Sequence, residues 1–450
     1  MHATAVPSEA SIAWPSAWRG WLAVLLLALA SIASQFDRTV INLMVGPVKD
    51  AFALDDTRFG MLQGVAFGIF YVIACIPIGR LADRYERRLI IAIALALWSV
   101  FAMASGLARS YAQLFLTRIG VAVGEASLTP AGFSMLSDLF PPERLGRPMG
   151  AFLMSSPVGQ GLAYIGGGAL LQWLTTSSVL ATGPLASLAP WQAAFIIVGF
   201  PGLLLVPLFL LFREPERRRL QGEGPEEKPL SLRDVGAVVH ARRAALIPMF
   251  AGFAFVPLVS YALAIWTPAL FERSYGWNPA QIGLSFGLIL LVFGTAGAYF
   301  GGFMNDLVAR RGYLDAPLKV AAFGFVACGV FGALAPLMPT APAALLLLAP
   351  AVFFSNMPYA CAGTALQLIV PNRARAQVSA LYITMTTLIG LGVGPLVVGL
   401  MTDHVFRAPE DIRYSLSIVV AFAAPALFML LLAACRPYRE LRRPTRAPAL

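Results

Sequence analysis

"GRLADRYERR", residues 79–88, returns in outline as "GFMNDLVARR", residues 302–311. Each has a glycine, an aspartate four residues on (Gly79 and Asp83; Gly302 and Asp306) and then two arginines, Arg87-Arg88 and Arg310-Arg311. A second echo follows in the same order, "PERLGRPMGA" (142–151) and "PNRARAQVSA" (371–380), which pairs Pro142 with Pro371, Arg144 with Arg373 and Ala151 with Ala380. Two signals repeated in order indicate a chain built from two like halves.

Composition says what the halves are made of. Of 450 residues, 58% are hydrophobic and 12% charged, and mean hydropathy is +0.74. Apolar runs of about 20 residues, the length that crosses a bilayer's hydrocarbon core, recur from end to end. The spans expected are 20–47, 58–82, 87–108, 112–139, 147–174 and 190–212, then 244–273, 279–309, 317–338, 342–370, 374–402 and 412–435. The fold class is therefore an all-α polytopic membrane protein with twelve helices in two pseudo-symmetric six-helix halves. The halves are expected at 1–212 and 244–436, joined by a polar linker at 213–243 and followed by a basic tail at 437–450. In the linker, Leu232, Val235, Val238 and Val239 share one helical face, and Ser231 and Asp234 fit an N-terminal cap. An amphipathic helix lying on the membrane surface is expected there.

The net charge of +10 is a topology signal and does not call for nucleic acid. Basic residues gather in alternate loops, among them Arg80 to Arg88, Arg144 and Arg147, Arg213 to Arg243, Arg310 to Lys319, and the tail from Arg436. The rich loops and both termini are expected on the cytoplasmic side of the plasma (inner) membrane. The first span carries Asp37-Arg38, which makes a cleaved leader improbable. The four cysteines (Cys75, Cys328, Cys361, Cys435) have no metal-binding spacing, and none of the three histidines lies in an expected span. No cofactor or metal is expected, and the working unit is expected to be a monomer.

The repeated loop has its own chemistry. Asp83 at the end of one helix can face the positive N-terminus of a helix in the other half. With Gly79, Arg84, Arg87, Arg88 and Asp138, and with Asp306 in the echo, it is expected to form a conformational lock that shuts the cytoplasmic side. A basic loop that only sets topology is the plainer alternative.

Charges inside the spans are the second lead. "SQFDRTVINLM" (34–44) puts Asp37 and Arg38 in the first span, and "RIGVAVGEASLTPAGFSMLSDLF" (118–140) puts Arg118 and Glu125 in the fourth. Charges at bilayer depth face a protein interior or a watery cavity. Adjacent residues on a helix diverge by about 100°, whereas residues seven apart share a face. Arg118 is expected to hold Asp37, and Glu125 to lie near Arg38. Burial disfavours a charged carboxylate and a neighbouring arginine favours it, so opening to water on one side would switch protonation. Glu125 and then Asp37 are the expected proton-coupling residues, with Arg38 and Arg118 freed to bind an anionic head. A static buried network is the alternative.

The second half offers a different wall: Tyr261, Trp266, Asn356, Tyr359, Gln367, Tyr382 and Thr386 among many Phe and Leu, any of which packing alone also explains. Charges on one side and an aromatic, apolar wall on the other suit an amphiphile. Glycine runs in the fifth and eleventh spans permit close helix approach and bending.

"GRLADRYERR" resembles the loop signature of the major facilitator superfamily, with Glu86 where that family usually has glycine. "FDRTV" (36–40) and "RIGVAVGEASLTPAGFSMLSDLFPPERLGRPMG" (118–150) resemble the Spinster family of lipid transporters within it. The resemblance implies alternating access, a lysophospholipid or sphingosine-1-phosphate-like substrate, protons as a partner, and coupling by Asp37 and Glu125 with Arg38 and Arg118 beside them. The anion:cation symporters of the same superfamily, which import small carboxylates, share Asp-Arg in the first helix and Arg with Gly-x-Gly-Glu-Ala in the fourth. Ala122 replaces the first of those glycines, and the second half shows no buried base for a compact acid, which favours the lipid-like reading. A membrane-embedded enzyme would need an acid–base or metal set, and no such spacing occurs; a non-transporting sensor is the remaining alternative.

Overall fold

The computed structural model describes residues 14–141, 144–180, 187–217 and 232–442, and every regular element among them is helical. An apolar chain in hydrocarbon must satisfy its backbone polar groups within each segment, and a helix does so. Twelve long helices run in order: α1 (Ala17–Phe52), α2 (Asp56–Ala82), α3 (Arg87–Ser105), α4 (Tyr111–Leu139), α5 (Gly146–Thr176), α6 (Pro190–Leu211), α7 (Arg243–Tyr275), α8 (Pro279–Arg310), α9 (Ala316–Leu337), α10 (Ala341–Ile369), α11 (Arg373–Phe406) and α12 (Pro409–Arg442). Eleven are long and apolar enough to cross a bilayer. The other, α5, has 31 residues but is rich in glycine, and it packs between α1 and α8.

The sequence echo is also an echo of packing. In the first half α1 packs on α5 and α6, α2 on α4, and α3 on α4 and α6. In the second half α7 packs on α11 and α12, α8 on α10, and α9 on α10 and α12, which is the same scheme shifted by six helices. The main contacts between halves, α5 with α8 and α2 with α11, exchange under that shift too.

These contacts are close at the end of the bundle away from the termini, hereafter the far end. A Cβ at Gly64 of α2 would lie 2.7 Å from the Leu391 and Gly392 carbonyl oxygens of α11, so only glycine lets these backbones meet. Toward the termini, Gly79, Gly150 and Gly363 have nothing within 4 Å of where a Cβ would stand. The halves therefore meet at the far end and part toward the termini.

Helix breaks cluster at the cavity between the halves. α1 tightens into a 3₁₀ turn at Val40–Met44, and α4 is interrupted at Ala126 and Ser127. α8 and α11 carry π-helical turns at Leu290–Gly294 and Leu388–Val393, features that concentrate at functional positions. At the periphery, a surface helix Leu232–Ala241 buries Val235 and leaves Arg233 exposed. The Ser231 cap lies outside the described residues. α12 continues past the expected boundary at 436 to Arg442, because Tyr438 is buried and donates to the Ala365 carbonyl at 3.2 Å.

Candidate functional site: a charged cavity between two halves

Asp37 and Arg38 sit just before the tightened turn of α1, and Glu125 is the last residue before the break in α4. Cys75 Sγ of α2 reaches the Ala126 carbonyl at that break, 3.6 Å away. The two kinks bring two cations and two carboxylates together. Asp37, Arg118 and Glu125 are each no more than 2% exposed, while the Arg38 side chain keeps 23% of its surface open to the cavity.

Arg38 Nε donates to Glu125 Oε2 in an ion pair. The Arg38 guanidinium also lies 4.5 Å from the centroid of Phe67 and 5.1 Å from that of Tyr71, two rings that stack on each other. Such faces hold a partly desolvated cation without neutralising it. Arg118 Nη1 donates to the backbone carbonyl of Asp37 at 3.2 Å, and no ion pair joins it to the Asp37 carboxylate. One oxygen each of Asp37 and Glu125, with Nε of Arg118, has no hydrogen-bond partner. Unpaired buried polar atoms cost free energy, so the cluster is poised for rearrangement rather than saturated.

The cavity is about 670 Å³ and lies between the halves, within the usual range for small-molecule sites. Arg38, Arg118, Tyr261, Asn356 and Tyr359 line it; Asp37 and Glu125 stand behind the two arginines. Trp266 instead is fully buried, donates to the Pro395 carbonyl at 2.9 Å and packs on Phe59. Tyr382 packs against Phe250 and Phe253, and the Thr386 hydroxyl donates to the carbonyl of Tyr382 in its own helix, 2.9 Å away. Gln367 is exposed near the termini end of α10. None of these four is among the described lining residues.

Several polar residues at this interface are not among those the sequence singled out as cavity wall. Gln35 of α1 donates to Ser156 Oγ of α5 at 2.9 Å. Gln63 Nε2 donates to Asn42 Oδ1, Asn42 Nδ2 donates to the Tyr164 hydroxyl at 3.1 Å, and that hydroxyl donates to the Ala264 carbonyl in the second half. This buried chain links four helices across the interface. Amide residues within apolar runs are the signal that could have found it.

The expected lock residues fall into separate places. Arg87 is buried and binds the Asp138 carboxylate, the Ser134 carbonyl at 2.9 Å and Glu214 Oε1 at 2.8 Å. Arg88 binds Glu86 at 2.7 Å and the Phe212 carbonyl at 3.2 Å. Asp138, Ser134, Glu86 and Phe212 belong to the first half, and Glu214 to the start of the linker. Gly79 faces open space, Arg84 and Asp306 are exposed, and the side chain of Asp83 lies outside the described residues.

An ion pair that does cross the halves lies at the far end. Arg273 of α7 holds Asp56 of α2 through both carboxylate oxygens at 2.7 Å, and Lys49 binds the same carboxylate. Asp403 of α11 accepts from the Thr57 N–H and hydroxyl, both at 2.6 Å, and from the Asp56 N–H at 3.2 Å. A carboxylate from one half thus caps a helix of the other, where the helix dipole favours it.

This architecture agrees with the comparisons. The major facilitator superfamily profile matches residues 27–395, and the chain belongs to that family of transporters. It is similar to an MFS-type efflux pump of Mycolicibacterium smegmatis, 29% identical over 86% of this chain and 85% of that protein. It is similar to a probable L-galactonate transporter of Escherichia coli, 26% identical over 86% and 84%. It is also similar to the protein spinster of Drosophila melanogaster, 28% identical over 87% of this chain and 64% of that longer protein. Among solved structures, a bacterial homologue of the human lysosomal transporter Spinster, inward-facing and unoccupied, superposes with a TM-score of 0.80 at 26% identity, covering 97% of this chain and 100% of that one. Within the superfamily the chain is thus similar to Spinster proteins in both sequence and fold.

Proposed function

We propose that the protein moves an amphiphilic anionic or zwitterionic molecule, of the lysophospholipid or sphingosine-1-phosphate-like kind, by proton-coupled alternating access. The observation that carries this reading is the asymmetry of the cavity. Its first-half corner holds Arg38 and Arg118, while Leu153, Met154, Phe286, Leu290 and Leu391 make much of the rest apolar. A head group fits the first and a chain the second.

In the proposed cycle Glu125 takes a proton and releases Arg38 from its ion pair, leaving the guanidinium to bind the head. Asp37, one helical position away with an unpartnered oxygen, is the second carrier. The distribution of basic residues supports cytoplasmic termini, and with that orientation the described conformation opens inward.

A second reading, proton-driven uptake of a small carboxylate, is supported by the amides on the same wall: Gln35, Asn42, Gln63, Gln160 and Asn356 suit a polyhydroxylated acid. Flux into liposomes separates the two. Purified protein is offered a lysophospholipid beside a sugar acid, with and without a pH gradient. The proposal expects lipid flux that rises with the gradient, and Glu125→Gln lowers it at least tenfold and removes its gradient response. Flux of the sugar acid alone replaces the substrate, and an unchanged gradient response in Glu125→Gln removes the proton role.

A further inference from the structure

The face of the second half turned away from the cavity carries another hollow, about 400 Å³, between α8, α9 and α10 near the termini end. Phe300, Met304 and Val308 of α8, Phe323 of α9 and Phe354 of α10 form its apolar part, and Lys319 is the charged residue among its described lining. It shares no described lining residue with the central cavity. α10 separates the two, turning Val352, Ser355 and Asn356 inward and Phe354 and Met357 outward.

Phe323 is 62% exposed although it lies inside a span, so the hollow opens to the bilayer. Its walls are held in place: Phe354 stacks on Phe331 with ring planes 4° apart, and Phe323 packs on Phe428 at 5.6 Å. Lys319 stands one turn into α9, at the level where the chain leaves the membrane. Its ammonium is 4.5 Å from the Tyr313 ring centroid and 3.2 Å from Asp315. Arg439 shares that carboxylate at 3.5 Å, and Arg442 donates to the Leu314 carbonyl at 2.7 Å. Two cations therefore share one buried carboxylate, a third sits on the neighbouring backbone carbonyl, and the corner is net positive.

We propose that this hollow binds one membrane phospholipid with an anionic head, its acyl chain along the phenylalanines and its phosphate on Lys319. An acyl chain alone gains little from leaving bulk lipid, because both surroundings are hydrocarbon. The basic corner is what makes the site selective, since basic pockets at this depth hold anionic head groups. The lipid is a resident of the wall of α8 to α10, separate from whatever the central cavity carries.

The test uses the full-length protein in nanodiscs with phosphatidylglycerol carrying a photoreactive group on its acyl chain, followed by peptide mapping. Labelling at 300–308, 320–324 and 354–357 is expected to exceed that on α3 at least threefold. Lys319→Gln and, separately, Val308→Trp, which fills the hollow, are each expected to reduce it at least threefold, with each variant eluting as a single species. Labelling spread evenly over the lipid-facing helices, equal concentration of a phosphatidylcholine probe, or no response to either substitution would overturn the site.

Discussion

At the far end, Asp56 of the first half meets Arg273 of the second, and Asp403 of the second caps the first turn of α2 from across the interface. Nearer the termini, Arg87 and Arg88 are just as heavily bonded, yet their partners Asp138, Ser134 and Glu86 lie in the first half and Glu214 just beyond it at the start of the linker. The same chemistry does two jobs. The Arg87 and Arg88 bonds tie α3, α4 and the segment after α6 to one another; the Asp56–Arg273 pair ties one half to the other. Alternating access needs both kinds, because rigid bodies can rock only if something local can break.

The largest effect is expected where the network is most buried. Arg87→Ala leaves Asp138 and Glu214 without their shared cation and should destabilise the first half by roughly 3–5 kcal/mol. Thermal unfolding in detergent should show this as a lowered melting temperature, and an unchanged one would mean that α3, α4 and α6 are held by packing alone.

Arg273→Ala should act differently, on the balance of states before fold stability. Spin labels across α2 and α11 at the far end are expected to move apart, with labels at the termini end moving closer. If the distance distributions match those of the unsubstituted protein, the far-end pair is not a lock. Gly64→Leu tests the same seam without touching charge. Its added side chain would press on the Leu391 and Gly392 carbonyls and should part the helices at a cost of roughly 1–3 kcal/mol; a far end that stays closed would show that α11 bends to accommodate it.

The smallest effect is expected at Asp306, exposed on α8. Asp306→Asn should change liposome flux less than twofold. A larger loss would reveal a partner made only when the termini end closes, and would bring the two ends closer in design.

Much of this protein was legible before any coordinates. Apolar length located the helices, and the paired loop signals located the halves, because both are local properties of the chain. Arg38 and Glu125 were readable as neighbours for a related reason: a charge in an apolar span must find a partner, and few were available. The Asn42, Gln63 and Tyr164 chain was not readable in that way, since an uncharged amide is tolerated in many places and its partners are set by which helix lies beside it. Arg273 ends an apolar run and carries no mark of its role, because nothing local distinguishes a base that waits for solvent from one that meets Asp56, 217 positions away.

What the sequence determined by itself was the class of molecule, its twofold repeat and the charges that could not be left alone in a membrane; helix formation and burial of charge follow from local composition and solvent. The tertiary structure alone decided that Arg118 holds the Asp37 backbone and not its carboxylate, that the glycines of α2 and the backbone of α11 meet at one end, and that an ion pair joining the halves lies there. Those outcomes depend on the relative placement of helices far apart in the chain, which their own residues do not encode one helix at a time.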